Sequence, residues 1–384
     1  MNHQQAPNKT FQNLHINFVQ SDLDAVLGSF NTVSFSGKSP IIKDYEKVIA
    51  KWFGTDLALA CANGTIAIEL ALRSLEVGPG DYVALPPTAP IMTILPIITI
   101  GATPVFCDVA TGSFSADLDH LSDLRSRYPI KALIVVPMWG YPLSMEKTAQ
   151  YCKKHNIALI EDCAHAIGTK ADGKYLGLFG DVATFSTHER KLVSTGEGGF
   201  CLVRDEIVYE KMLSWQHHGL VASNRDRQYR LGEAVGTNFK LSPLCAALGI
   251  NQFNRLAQKI AERRERVTAM REQLADLSDI KEFDRFQSAE VNGYSMVFRY
   301  LGGSCRSKAA QLAARGVISD TTRYGYKPLY KEPAFVEYAE PCPNAEQLIE
   351  TIFTVPCHEG LSTDDMSIIS TAVHDIFGRK DGAE

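Results

Sequence analysis

Three segments carry residue types that can do chemistry if the fold brings them together. The first is Phe185-Ser186-Thr187-His188-Glu189-Arg190-Lys191, where a lysine follows Ser186 by five residues; the glycine-rich Leu192-Val193-Ser194-Thr195-Gly196-Glu197-Gly198-Gly199 comes next. A strand ends here in hydroxyls, and the glycines that follow the lysine let the backbone pack closely or turn. The second is Ile160-Glu161-Asp162-Cys163-Ala164-His165-Ala166, in which an apolar strand ends in two acids that can face a ligand. The third is Ala62-Asn63-Gly64-Thr65, just ahead of the helical run AIELALRSL. A helix start with a glycine and a hydroxyl is an anion site, because free N–H groups point outward and the helix dipole adds positive potential. Each segment alone also reads as something plainer: a surface lysine, a solvated loop acid, an ordinary N-cap turn.

The elements that must position these residues are read from hydrophobic periodicity. Val83 to Leu85, Pro104 to Asp108, Ala132 to Pro137, Ala158 to Asp162, Val182 to Phe185 and Gly199 to Val203 read as short strands. Most are continuous apolar runs, as in a sheet covered on both faces. Helical patterns at Thr65 to Leu75, Ile91 to Thr99 and Ser144 to His155 separate several of them. The alternation predicts an α/β fold with a mainly parallel central sheet, whose active residues lie at the carboxyl ends of strands. After about residue 240 the pattern changes. Phe253, Leu256, Ile260, Val267, Met270 and Leu274 predict one long helix over Leu244 to Leu274, with AERRER (261–266) exposed. A final helix is expected near Asp365 to Phe377. The chain divides accordingly into a large domain at 1–242, with 1–30 as an N-terminal arm and helix, and a smaller C-terminal α/β domain at 243–384 that includes the long linking helix.

Composition narrows the function. The 384 residues are 45% hydrophobic and 22% charged, which suits a globular chain with a large core. A net charge of -5 disfavours nucleic acid as a partner but leaves room for an anionic small substrate. The longest apolar stretch, Ile91 to Ile100, is broken by Thr93, Pro96 and Thr99, so no membrane span is expected. The polar N-terminus lacks a signal-peptide core. Nine cysteines, an odd number with no CxxC pair, argue against a disulfide framework and a zinc site; no metal is expected, and a cytoplasmic location fits. Gly168 to Lys174 imitates a phosphate-binding P-loop but puts Tyr175 where Ser or Thr must bind magnesium. GEGG has the wrong spacing for a dinucleotide fingerprint, and the sequons at Asn8 and Asn63 have no secretory context.

Taken together, the three segments resemble the DegT/DnrJ/StrS family of aminotransferases, the sugar aminotransferases of pyridoxal phosphate (PLP) fold type I. Further matches are GPGDYVALPP (Gly78 to Pro87), IGATPVFCDV (Ile100 to Val109), KALIVVPMWG (Lys131 to Gly140) and GTNFKLSPLCAALGINQFNRL (Gly236 to Leu256). The resemblance runs in order from Ser36-Gly37 to Pro356-Cys357-His358. It implies a role for each candidate. Lys191 would hold PLP as an imine and shuttle a proton once released. Asp162 would pair with the protonated pyridine nitrogen, keeping the ring an electron sink. Ala164 would pack flat on the ring, with His165 near its phenolic oxygen. Gly64, Thr65 and Ser186 would cradle the phosphate, and Asn238 would reach it from a neighbouring subunit, implying a homodimer with shared sites. His188 matches a common family residue, though support of its own turn is the reading with more weight. Arg323, Tyr324 and the segment Tyr326-Lys327-Pro328-Leu329 fall where substrate-facing loops lie. The implied reaction moves an amino group from L-glutamate or L-glutamine to a keto sugar, nucleotide-linked, through the pyridoxamine phosphate form of the cofactor.

Two departures concern the substrate. Where the family carries an aromatic that stacks on the cofactor, this chain has Ala89-Pro90, and Pro90 can touch a ring but not stack as an aromatic does. Trp139 is a candidate to compensate. Pro137 also stands where a histidine is frequent. Two other readings compete: a pyridoxamine-phosphate sugar dehydratase, whose relatives replace the lysine with histidine, and a non-catalytic paralogue acting as a binding subunit. Lys191 opposes the first, and the joint presence of Lys191, Asp162 and Ser186 opposes the second.

Overall fold

The structure is a computed structural model that describes residues 9–31, 34–222, 229–230, 234–283 and 289–378. Its strands, in chain order, begin with β1 (Ala58–Cys61), β2 (Tyr82–Leu85), β3 (Thr103–Phe106), β4 (Ile130–Val135) and β5 (Ala158–Asp162). A small hairpin, β6 (Lys170–Ala171) and β7 (Lys174–Tyr175), separates these from β8 (Val182–Ser186) and β9 (Gly199–Val203). A ribbon, β10 (Val221–Ala222) and β11 (Tyr229–Arg230), precedes β12 (Ile280–Glu282), β13 (Met296–Tyr300) and β14 (Ile352–Val355). The helices are α1 (Gln20–Gly28), α2 (Pro40–Phe53), α3 (Gly64–Ser74), α4 (Ile91–Thr99), α5 (Leu118–Arg127), α6 (Met145–Lys154), α7 (Glu206–Gln216), α8 (Pro243–Asn254), α9 (Leu256–Gln273), α10 (Arg306–Ala314), α11 (Asp320–Arg323), α12 (Pro343–Thr351) and α13 (Thr363–Phe377).

Seven strands form the central sheet, in the order β1-β9-β8-β5-β4-β2-β3. Only β9 runs against its neighbours; β8, β5, β4, β2 and β3 are parallel in succession. Both faces of the inner strands are buried, which is why Val182–Ser186 and Gly199–Val203 read as unbroken apolar runs rather than alternating ones. Helices start where side chains satisfy their first free N–H groups. Asn63 caps Ile66 at the start of α3, Asp117 caps α5, and Asp205 caps α7.

The one long helix expected over Leu244 to Leu274 is two helices meeting at Arg255. The Arg255 N–H bonds to the carbonyls of Gln252 and Phe253 instead of continuing the i→i−4 ladder. Its guanidinium is turned to the buried carboxylate of Asp22 on α1. Apolar spacing runs across the break and so hides it. Nor is AERRER wholly exposed: Arg263 is buried and paired with Glu359 at 2.6 Å.

Buried apolar residues form two clusters. The first fills the space around the central sheet and also takes in Leu329, Tyr330, Phe335 and Leu348. The second lies between β12-β13-β14, α10 and α13, with Phe298, Phe353 and Phe377 stacked in series. Phe11 of the N-terminal arm enters this second cluster. Its N–H donates to Gly316 O and its carbonyl accepts from Ile318 N–H, at 2.7 and 2.8 Å. All nine cysteines are free thiols; eight are buried and Cys245 is partly exposed.

Candidate active site

The carboxyl ends of β5 and β8 and the start of α3 converge. Strand β5 delivers Asp162, whose carboxylate is buried. Its Oδ2 accepts from Thr93 Oγ1 at 2.6 Å and its Oδ1 from Ala164 N–H at 3.3 Å. Burial pushes the acid up from its ordinary range, and the two hydrogen bonds and the Lys191 charge hold it back. A cation placed beside it would satisfy it fully. Pro90 sits at the N-cap of α4 and its carbonyl accepts from Thr93 N–H, so the segment without an aromatic instead sets Thr93 on Asp162.

Strand β8 ends in Ser186, and the chain then turns through Thr187 to Ser194 before β9. Lys191 lies in that turn, its N–H donating to His188 O. The Lys191 ammonium lies 5.6 Å from the centroid of the Tyr294 ring. Desolvation lowers its pKa to about 8; Asp162 and Asp320 oppose that shift and Arg190 adds to it. Tyr294 also stacks on His165, with centroids 4.3 Å apart. Burial, and then the Lys191 charge, hold His165 well below its ordinary pKa, so the ring is neutral. Its Nδ1 accepts from the Trp139 backbone N–H at 3.3 Å, which leaves Nε2 as the protonated nitrogen.

At the start of α3, Gly64 is required by close approach. A Cβ there would stand 2.8 Å from Ser186 Cβ. The two segments therefore come together with the free N–H groups of α3 and the Ser186 hydroxyl side by side. Ser186 Oγ accepts from His188 N–H at 3.2 Å. His188 is tied into the turn, with Nδ1 3.5 Å from Arg190 N and Nε2 3.9 Å from Glu197.

Lys191, Asp162, Ala164, His165, Ser186, Gly64 and Thr65 thus gather at one end of the sheet. Asn238 does not join them through any hydrogen bond or ring contact among the described residues; it is exposed and bridges to His217. Trp139 is buried between Phe114 and Tyr326, and its indole N–H donates to Asp320 at 3.1 Å. Arg323 bonds to Gln12 of the arm. Tyr324 is exposed and accepts from Arg190, the neighbour of Lys191. Thr93, Tyr294 and Asp320 are site residues that the motifs do not contain. Thr93 hides in an apolar helix, and Tyr294 and Asp320 come from far along the chain with no spacing to mark them. Among the described residues no group of three or more His, Cys, Asp or Glu is arranged to hold a metal, and no helix is long and apolar enough to cross a membrane.

The family model of the DegT/DnrJ/EryC1/StrS aminotransferases matches residues 19–374. A GDP-perosamine synthase from Escherichia coli O157:H7 is 29% identical over 349 residues, covering 90% of this chain and 92% of that protein. A dTDP-4-dehydro-2,3,6-trideoxy-D-glucose 4-aminotransferase from Saccharopolyspora spinosa is 30% identical over 366 residues, covering 91% and 92%. The crystal structure of the aminotransferase TlmJ from Streptoalloteichus hindustanus superposes with a TM-score of 0.87 at 26% identity, covering 96% of this chain and 99% of that one.

Proposed function

The chain belongs to the DegT/DnrJ/EryC1/StrS aminotransferase family, and from that premise we propose a PLP-dependent sugar aminotransferase with Lys191 as its catalytic residue. It takes the amino group from an amino acid, L-glutamate or L-glutamine, and gives it to a nucleotide-linked keto sugar in amino-sugar biosynthesis. The observation that carries the reading is one cluster. A desolvated lysine, a buried carboxylate without a cationic partner in contact among the described residues, and a helix N-terminus against a serine hydroxyl suit the aldehyde, ring nitrogen and phosphate of PLP.

Bound PLP supplies a carbonyl for amines and a pyridinium ring that takes up electrons from a breaking bond. The protein's residues do the rest. Lys191 offers an amine that is free far more often at neutral pH than one of ordinary pKa. With PLP bound, Lys191 Nζ would be the base and acid that moves a proton between the substrate's reacting carbon and the cofactor. Asp162, oriented by Thr93 and Ala164 N–H, keeps the ring nitrogen protonated. Gly64, Thr65 and Ser186 hold the phosphate, Ala164 packs on the ring, and neutral His165 presents Nε2–H to an oxygen.

Asn238 reaches the phosphate of a second copy, so the working form is a homodimer. Ile91, Met92 and Leu95 on the outer face of α4 are exposed beside Thr93 and offer apolar surface for that contact. Nine free thiols suit a reducing, cytoplasmic setting. Pro90, Trp139, His188, Arg323 and Tyr324 border the substrate end of the site.

The test is direct. PLP-soaked protein should gain a visible absorbance band, and L-glutamate should remove it. Reduction with borohydride should leave the cofactor on the peptide containing Lys191. Protein that gains no band, or is labelled at another lysine, would refute the reading.

A further inference from the structure

Asp320 is a buried carboxylate in an unusual setting. It opens α11, is 7% exposed, and has no ion-pair partner in contact among the described residues. Both hydrogen bonds it receives fall on Oδ2, from Trp139 Nε1 at 3.1 Å and from Asn13 Nδ2 at 3.3 Å. Oδ1 has no partner among the described residues. Two arginines are near enough to act on its charge, but Arg190 bonds to Tyr324 and Arg323 to Gln12. The side chain is nearly buried, yet Oδ1 is not sealed in and keeps contact with open space, the setting in which a ligand's donor can reach a carboxylate held by only one of its oxygens.

The second observation is independent. Trp139 holds a left-handed backbone, φ 52° and ψ 22°, which a residue with a Cβ adopts only under constraint. That conformation lets one residue do two things. Its backbone N–H meets His165 in the Lys191 cluster and its indole N–H meets Asp320. The wall from Lys191 through Tyr294, His165 and Trp139 to Asp320 is therefore continuous, and the Asp320 charge is felt at both Lys191 and Tyr294.

We infer that Asp320 is a specificity-determining residue whose carboxylate accepts a hydrogen bond from a ring hydroxyl of the acceptor, so that the site takes a neutral, hydroxylated keto sugar. This rests on the proposed aminotransferase reading and narrows its acceptor. The chemistry selects in both directions. A hydroxyl gives Oδ1 the donor it lacks, whereas a sugar stripped of that hydroxyl leaves the carboxylate buried and half-satisfied. Sites built to bond a substrate hydroxyl reject analogues lacking it strongly, by up to ~10⁴-fold or more. A carboxylated sugar would also meet a like charge.

The probes are dTDP- and GDP-linked 4-keto-6-deoxyhexoses, each compared with its 2,3-dideoxy counterpart. Wild-type enzyme should prefer the hydroxylated member by at least ~100-fold in kcat/KM. Asp320→Asn turns a donor toward the sugar once its oxygen serves Trp139 and Asn13, and should cut that preference at least tenfold. Calorimetry with the same sugars on cofactor-loaded protein should show the same collapse in relative Kd. A wild type that prefers the dideoxy sugars, discriminates less than threefold, or binds neither overturns the inference without any variant, as does a preference undiminished in D320N. Failure of the aminotransferase reading is seen separately, as absence of the visible band and of its loss with L-glutamate.

Discussion

Lys191 has its amine at about 8 because burial outweighs two acids, and the sign of its pH dependence follows. The free amine is the reactive form. The rate at which PLP loads should rise about tenfold per pH unit below 8 and level off above it, whereas an ordinary lysine would keep climbing past 10. Stopped-flow absorbance across pH 6 to 10 checks this; a rate still rising steeply beyond pH 9 contradicts it. Thr93 is the least conspicuous residue of the site and among the most testable. Thr93→Val keeps the shape and removes the donor at 2.6 Å from Asp162. A hydrogen bond to a charged group contributes about 1.5–3 kcal/mol, so PLP should bind roughly tenfold or more weakly, measured by cofactor titration. That Lys191, Asp162 and Ser186 come together could be expected from the chain because each lies in a short run of telling residues. Thr93, Tyr294 and Asp320 could not be, since each acquires its role from a neighbour about 70 to 180 residues away.

At the scale of elements, the decisive contact is the first turn of α3 against the end of β8. Gly64→Ala would put a Cβ 2.8 Å from Ser186 Cβ, and the helix start must then back away from the phosphate cradle. The expected cost is about 1–3 kcal/mol of overpacking, with PLP affinity reduced further than thermal stability. Equilibrium dialysis alongside a melting curve separates the two, and an alanine variant that binds PLP normally would count against the cradle. The inner strands could be read ahead of the structure because full burial on both faces writes itself as continuous apolar runs. Strand β1, four residues with two alanines, carries too little signal to be seen that way. The break at Arg255 escaped for the opposite reason: helical period registers faces, not interruptions, and the Asp22 carboxylate that Arg255 meets there lies far away on α1.

For the whole molecule, the N-terminal arm links the two apolar clusters. Phe11 is buried in the second cluster beside Val317, while Asp22 is fastened to Asn251 and Gln252 of α8 and to Arg255 just beyond its end. Phe11→Ala should therefore lower global stability by about 3–5 kcal/mol, the range for truncating a buried aromatic, read by urea unfolding. A change under 1 kcal/mol would mean the arm is not part of the cooperative unit. A change in pattern near residue 240 was visible in the chain. That the stretch containing Leu329, Phe335 and Leu348 returns to the first cluster was not, because apolar spacing does not say which core receives it. The thiol distribution has a practical use of a different kind. With eight sulfhydryls enclosed and Cys245 alone partly open, a chromogenic disulfide reagent should modify one thiol per chain quickly under native conditions and the others only as molecules open. The slow phase is then a clock for spontaneous opening, readable in plain buffer without denaturant.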